Sequence, residues 1–306
     1  MKLSIDFQEF FQNFKNDKFA SLWDAQAQVL NKYQSSFVDI SDVAVELPTG
    51  AGKTLLALLI AEAWRQIGKK AAILSANKTL ARQLHAEAQE LKIPTVLMEG
   101  KGTDIKSADK RAYHRSTKTG VMNYWVYFNQ NPVVDPADLL IMDDAHLAEH
   151  CLHSLYSFEV TRHHHKDLFS SIISELYNNF PEYPVLRDAE IETSHHSPPQ
   201  LLSFLDQIKV SSRLKEMIEA SPILESDSDL RFRWGRIRNV LDESNVYVGQ
   251  NSIWIRPYVY PLTNNTHYSS SQQRIYMSAT IGDPSDLSRV LGARNITKIP
   301  VDPQYS

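Results

Sequence analysis

Glu46-Leu47-Pro48-Thr49-Gly50-Ala51-Gly52-Lys53-Thr54 is the stretch whose residue types and spacing most plainly do chemistry. An apolar run, Val43 to Leu47, stops at a proline; two glycines, Lys-Thr and a strongly apolar run follow. That order reads as strand, tight loop and helix N-terminus. Such a loop turns successive backbone N–H groups inward, and the helix adds the positive end of its dipole. Thr49, Gly50, Ala51, Gly52, Lys53 and Thr54 would cradle the phosphates of a nucleotide. Lys53 would reach the β- and γ-phosphates, and the Thr54 hydroxyl would ligate Mg²⁺. Leu47 stands where the G-x-x-x-x-G-K-T pattern has its first glycine. A second set follows the apolar run Ala137 to Met142, which leads straight into Asp143-Asp144-Ala145-His146. Carboxylates at the end of a buried strand beside a phosphate-binding loop are placed to hold a metal ion. Asp143 would hold Mg²⁺ through water, and Asp144 would orient or deprotonate an attacking water.

These groups need elements to carry them. Leu55 to Ile67 is apolar nearly all round, which predicts a helix buried against a sheet and closed by Gly68. Ala71 to Leu74 and Thr95 to Met98 read as short strands, and Thr79 to Leu91 as the helix between them. The β-α-β-α-β alternation with continuous apolar strands predicts an α/β fold, a parallel sheet covered on both faces. Residues 2–34 are helical in pattern, with Phe7, Phe10, Phe11, Phe14 and Phe19 on one face packing on the main domain. Within this segment Gln26 lies 27 positions before Lys53. Its amide offers a donor and an acceptor together, which suits the edge of adenine; Gln28 is the competing choice.

From Lys101 to Lys118 the pattern is lost and the charge turns basic. This stretch reads equally as a phosphate-contacting loop and as a solvated one. Val121 to Asn129 is aromatic-rich and is expected to pack on the core. Beyond residue 150 the alternation breaks. Helical patterns cover roughly 167–180, 199–208, 213–220 and 230–241. The sheet signal returns at 245–249 and 252–256, a hairpin by its Gly-Gln-Asn turn. Arg274-Ile-Tyr-Met is the last strand, ending in Ser278-Ala279-Thr280, and a helix 284–291 closes at Gly292. Between His146 and Ser278 lie 131 residues, whereas one βα unit needs on the order of 30. Residues 151–242 are therefore expected to form a largely helical insertion, with 1–150 and 243–306 making the main domain. His163-His164-His165 and His195-His196 look like ligands, but adjacent residues point apart and no spaced set completes them. His146, His150 and His153 share a helical face. The better expectation for His146 is a hydrogen bond linking the carboxylate pair to Ser278 or Thr280.

Composition bounds the rest. The chain has 306 residues, 42% of them hydrophobic, a net charge of −4 and one cysteine. Binding of nucleic acid must come from a local basic face. A disulfide within the chain and a cysteine-built metal or iron–sulfur site are excluded. Neither a signal peptide nor a membrane span is legible, so a cytoplasmic location, nuclear in a eukaryote, is expected.

P-T-G-A-G-K-T, D-D-A-H and M-S-A-T, in this order on an α/β alternation, resemble motifs I, II and III of superfamily 2 helicases of the DEAD/DEAH-box type. The resemblance covers about residues 20–150 and 243–295. It implies a RecA-like P-loop domain of three layers, ATP and Mg²⁺ as cofactors, and single-stranded DNA or RNA as partner. Gln26 resembles the adenine-reading Q motif. Asn77, Lys78, Thr79 and Gln83 fall in a segment resembling motif Ia, which touches the nucleic-acid backbone. Ser278 and Thr280 would couple nucleotide state to the nucleic acid. Val45-Glu46, Asn123-Tyr124, the long insertion and Ser-Ala-Thr-Ile before Leu291-Gly292 point to the XPD/DinG branch, whose insertion is an arch over the DNA path. That branch often carries a four-cysteine iron–sulfur cluster, excluded here. Its motif II usually reads Asp-Glu-Ala-His, so Asp144 is one methylene short. Trp23 stands where the branch usually has arginine.

Only 26 residues follow Thr280, and no Gln-x-x-Gly-Arg-x-x-Arg occurs. Helicases of this class have a second RecA-like domain that supplies an arginine finger, a contribution of about 10³–10⁵ in rate among P-loop enzymes. The expectation is the ATP-binding half of a helicase or translocase, completed by a second RecA-like domain in a longer protein or a partner subunit. A nucleic-acid-binding scaffold with an inert nucleotide site is the alternative. A small-molecule P-loop kinase lacks a substrate lid and leaves Asp-Asp-Ala-His and Ser-Ala-Thr unexplained.

Overall fold

The computed structural model describes residues 6–14, 21–129, 132–191, 197–293 and 295–302. It divides into two compact units, 1–152 with 262–306, and 153–261. No helix among the described residues is long and apolar enough to cross a membrane.

The first unit is built on seven strands: β1 (Asp42–Glu46), β2 (Ala71–Ser75), β3 (Thr95–Met98), β4 (Thr119–Asn123), β5 (Leu139–Met142), β10 (Gln273–Ser278) and β11 (Thr297–Lys298). Their order is β11-β1-β10-β5-β2-β4-β3, and every pairing is parallel. Both faces are covered, so Val43–Val45, Ala71–Leu74, Leu139–Met142 and Ile275–Met277 are all buried. Continuous apolar strands need such a sheet, because alternate residues point to opposite faces and both must leave water. The register sets Glu46 beside Ser278 and Met142 beside Tyr276 and Leu74. The C-terminal ends of β1, β10, β5 and β2 therefore line one edge.

The helix Lys53–Gln66 buries every residue from Leu55 to Trp64. Its one buried acid, Glu62, is held by Arg65 through two 2.6 Å hydrogen bonds and by Gln66. Gly68 follows at φ +80°, a left-handed turn that glycine makes without Cβ strain. Trp64 Nε1 donates to Tyr33 Oη (2.8 Å), which donates to Gln273 Oε1 (2.6 Å). Buried polar groups that find partners in this way cost little. Phe7, Phe10 and Phe11 are buried and Phe14 packs partly buried against the same core, while Phe19 lies outside the described residues.

One local expectation changes, and a second, the packing of 121–129 on the core, holds. The basic stretch 101–118 contains a helix, Ser107–His114, with Tyr113 inward. Its apolar signal is one tyrosine among charges, too thin to read by periodicity. Within 121–129 the chain is β4 followed by a helix Tyr124–Tyr127, capped by the Asn123 side chain accepting from Val126 N.

The second unit has its own antiparallel sheet, in the order β6-β9-β8-β7. The strands are β6 (Phe158–Thr161), β7 (Gln200–Leu201), β8 (Ser244–Val248) and β9 (Ser252–Pro257). Helices Lys166–Asn179, Pro184–Glu190, Phe204–Glu219 and Ser228–Ile237 surround a core that includes Phe158, Phe169, Ile172, Leu214, Trp234 and Ile255. The expected boundary at 242/243 is thus displaced, since the hairpin β8–β9 pairs with β6 and β7 and not with the parallel sheet. Within 151–242 the described chain is largely helical, as expected; strands β6 to β9 make the second unit mixed. Its strands alternate buried and half-buried residues, the mark of a sheet buried on one face. The two helical patterns at 199–208 and 213–220 are one helix, started by the Ser203 N-cap.

Candidate nucleotide site

β1 delivers the chain to the loop, and the loop starts the helix. Leu47 N donates to Ser278 O (3.1 Å), which extends the β1–β10 pairing one residue past the strand. Gly50 and Gly52 sit at φ +84° and +76°, left-handed values that favour glycine. Gly52 is the N-cap of the helix Lys53–Gln66. A Cβ on Gly52 would also meet the end of the Gln26 side chain, so a larger residue would push that amide aside, and φ favours glycine in any case. Thr49 and Gly50 are exposed, whereas Ala51 to Thr54 are half-buried. Lys53 Nζ donates to Leu47 O (3.2 Å) and Pro48 O (3.3 Å), across the loop it belongs to.

Gln26 is buried at the first turn of the helix Asp24–Lys32. Its Oε1 accepts from Trp23 N (3.0 Å) and its Nε2 donates to Ala51 O (3.0 Å). The amide thus joins a helix start to the loop, with one N–H and one lone pair remaining for a base. Gln26→Ala is expected to weaken ATP binding roughly fivefold, the value of one hydrogen bond near 1 kcal/mol. Nucleotide titration of the variant checks this. Gln28, the competing glutamine, instead accepts from Asp302 N (2.9 Å).

Asp143 and Asp144 follow β5 at the same sheet edge, two strands from β1. Asp143 N donates to Leu74 O (2.9 Å) of β2. Asp144 is left-handed at φ +49°, a conformation that aspartate tolerates better than most residues. Burial, and then the neighbouring Asp144 charge, push the Asp143 carboxyl up to about 6; Lys53 pulls the other way. A carboxyl whose folded pKa is raised binds its proton more tightly when native. Its stabilising share is present at low pH and is lost as pH rises from about 4 through about 6. Without ligands, Asp143→Asn should therefore melt higher than the parent at pH 7.5, and the gap should close near pH 4. Thermal unfolding at the two pH values measures this.

His146 Nδ1 lies 2.8 Å from Ser278 Oγ, a hydrogen bond that joins the end of β10 to the turn after β5. Ser278 Oγ also accepts from Thr280 N (3.1 Å). Ser278 is fully buried and Thr280 exposed. Asn77 caps the helix Lys78–Glu90 by accepting from Leu80 N (3.0 Å). Asn77, Lys78, Thr79 and Gln83 are exposed on its first turns, beyond the end of β2. Among the described residues no group of three or more His, Cys, Asp or Glu could hold a metal ion. His163 and His164 stack edge to face at 4.6 Å, His165 Nε2 faces Asp227 at 3.4 Å, and His195 and His196 lie outside the described residues.

One residue beside the loop carried more than its motif suggested. Glu46 Oε2 accepts from Lys298 Nζ (2.6 Å), Ile281 N and Gly282 N (both 3.2 Å). An acidic residue ending a buried apolar strand was the available signal. Nothing near Lys298 pointed to it.

The sequence pattern of DEAD/DEAH box helicases matches residues 23–158. This segment is thus similar to a DEAD/DEAH box helicase domain. The match holds Gln26, the loop, the Asn77–Gln83 turns and the Asp143-Asp144 pair. No curated protein matches the chain. Among solved structures, Xpd4 of S. tokodaii superposes with TM-score 0.55 at 13% identity, over 90% of this chain and 61% of that one. An XPD helicase superposes with TM-score 0.51 at 15% identity, over 92% and 62%. The chain thus spans about three fifths of the length of these structures. At such identity the likeness is one of fold: the first unit has the RecA-like α/β architecture, with helices on both faces of its parallel sheet.

Proposed function

We propose that this chain binds ATP with Mg²⁺ and forms the ATP-binding half of a nucleic-acid helicase or translocase. One observation carries the reading. The loop after β1 and the carboxylates after β5 leave the same edge of one parallel sheet, and the β10 end between them is tied to His146. The donor set suits magnesium: carboxylate and hydroxyl oxygens are hard ligands, and an acid pushed up to about 6 by burial and a like charge gains from a cation beside it.

In this reading Gly50 to Thr54 and the helix N-terminus bind the phosphates, and Lys53 exchanges its carbonyl partners for phosphate oxygens. Thr54 and Asp143 would hold Mg²⁺, which when bound neutralises charge on the β- and γ-phosphates. Asp144 orients or deprotonates the attacking water, with His146 positioned through Ser278. Asn77, Lys78, Thr79 and Gln83 meet the backbone of single-stranded DNA or RNA. A second RecA-like domain supplies the missing arginine, so the chain by itself hydrolyses slowly and does not unwind. The second unit takes the place of the arch-like insertion, and the cytoplasm, or the nucleus in a eukaryote, is the expected location.

The test is ATP titration with Mg²⁺ and with EDTA, followed by phosphate release with and without single-stranded DNA and RNA. Magnesium-dependent binding and slow release support the reading. Absence of binding overturns it, and robust unwinding by this chain alone overturns the half-motor assignment.

A further inference from the structure

Glu46 is the last residue of β1, and its carboxylate closes a small anion nest. Ile281 N and Gly282 N both donate to Oε2 at 3.2 Å. Gly282 adopts φ +61°, a left-handed residue of the kind that turns successive N–H groups toward one anion. The nest is filled by the protein's own side chain. Lys298 Nζ adds a third donor at 2.6 Å from β11.

The same carboxylate adjoins the nucleotide loop on its other side. Leu47, the next residue, receives Lys53 Nζ on its carbonyl and gives its N–H to Ser278 O. Recruitment of the Lys53 ammonium by a phosphate would break its bonds to Leu47 O and Pro48 O. The Leu47–Pro48 peptide thus released directly follows the Glu46–Leu47 peptide, whose N–H is paired with Ser278 O. Beyond Lys298 the chain runs on along the same elements: Ile299 N donates to Ala44 O (2.9 Å), and Lys32 Nζ donates to Pro300 O (2.7 Å). Asp302 N donates to Gln28 on the helix that carries Gln26.

We propose that Glu46 is a positioning residue that transmits nucleotide occupancy from the Lys53 loop to the Ser278–Gly282 loop and to the β11 segment. The geometry favours a relay, because Glu46 is bonded to the nucleotide loop through Leu47 and holds Ile281 N, Gly282 N and Lys298 Nζ through one carboxylate oxygen. Burial works against ionisation of Glu46, but Lys298 and the two N–H groups outweigh it and hold the carboxyl below its ordinary range. The charge that fills the nest is therefore present at neutral pH.

The inference rests on the ATP-binding reading, so its test begins with the parent protein. Hydrogen exchange of residues 278–282 is followed by mass spectrometry with and without ATP–Mg²⁺, alongside nucleotide titration. In the parent, ATP–Mg²⁺ should change exchange of this loop roughly fivefold, the scale of one hydrogen bond made or lost. Glu46→Ala should bind ATP with little change in Kd yet lose the ATP-dependent change in exchange. Glu46→Gln keeps an acceptor for the two N–H groups but no charge for Lys298, and should keep part of the response. Lys298→Met should match Glu46→Gln. A Glu46→Ala or Glu46→Gln protein that binds ATP and keeps the full response overturns the proposal. So does a parent that binds ATP without any change in 278–282. Failure of the parent to bind ATP sinks the functional reading first, and titration alone reveals it.

Discussion

Lys53→Ala should lower ATP turnover by about 10²–10³, the scale seen when one preorganised donor to transition-state charge is removed. The melting temperature should hardly move. Lys53 is the first residue of its helix, half-buried, and its hydrogen bonds among the described residues are two long ones to Leu47 O and Pro48 O. Alanine is a good helix former, and bonds of this kind to exposed or half-exposed loop carbonyls contribute little. The loss is electrostatic. Lys53 is a positive group acting on Asp143, against the pull of burial and of Asp144. Without it, phosphate binding loses its charge partner and Asp143 is harder to ionise. Activity loss with an intact fold is the signature of a site residue. The check is phosphate release beside a thermal melt on the same sample. A variant with full turnover would remove Lys53 from the site.

The largest stability effect is expected on the far side of the sheet. Asp42 and Arg274 form a bidentate pair at 2.6 and 2.8 Å between the starts of β1 and β10. Their side chains are only 10% and 13% exposed. Tyr276 Oη also donates to Asp42 Oδ1 (2.7 Å), Tyr268 and Tyr276 share a hydrogen bond, and the Arg274 guanidinium lies 4.8 Å over the Tyr268 ring. Asp42→Ala leaves a buried guanidinium without its counter-charge. It should cost about 3–5 kcal/mol and lower the melting temperature of the first unit by on the order of 10 °C. Replacing both partners, as in Asp42→Leu with Arg274→Leu, should recover most of the loss, because a matched apolar pair pays no desolvation. Melts of the single and double variants decide it. Equal losses that add in the double variant would mean that the pair is not coupled. Nucleotide affinity should be unchanged, since the pair lies at the opposite edge from the loop.

Together these variants separate the two ends of one sheet. Its C-terminal edge carries groups in tension: two adjacent acids, a lysine paired only with carbonyls, and glycines at positive φ. Its N-terminal edge carries the paired Asp42 and Arg274. Gathering the candidate groups at one edge is expected where strands run parallel, because every strand then ends at that edge and the loops that follow meet there.

Much of the candidate site was legible along the chain because its chemistry is local. The loop, the Asp143-Asp144 pair and Ser278-Ala279-Thr280 each follow a short apolar run, and each run is a strand. The expected link from His146 to Ser278 came from the same logic, since strand ends at one edge are neighbours. The hairpin β8–β9 was legible as a hairpin, but its sheet was not: alternation tells how many faces are buried, not which strands lie alongside. The helix Ser107–His114 escaped because charge hid its single inward tyrosine.

Strand, loop and helix signals act over a few residues, so the candidate site residues and the parallel α/β sheet that presents them could be read along the chain. Which groups pair across the fold could not. Glu46 meets Lys298 across 252 positions and Asp42 meets Arg274 across 232. Such pairs are created when β10 and β11 come to lie beside β1, and no local pattern records which strand a distant segment will choose.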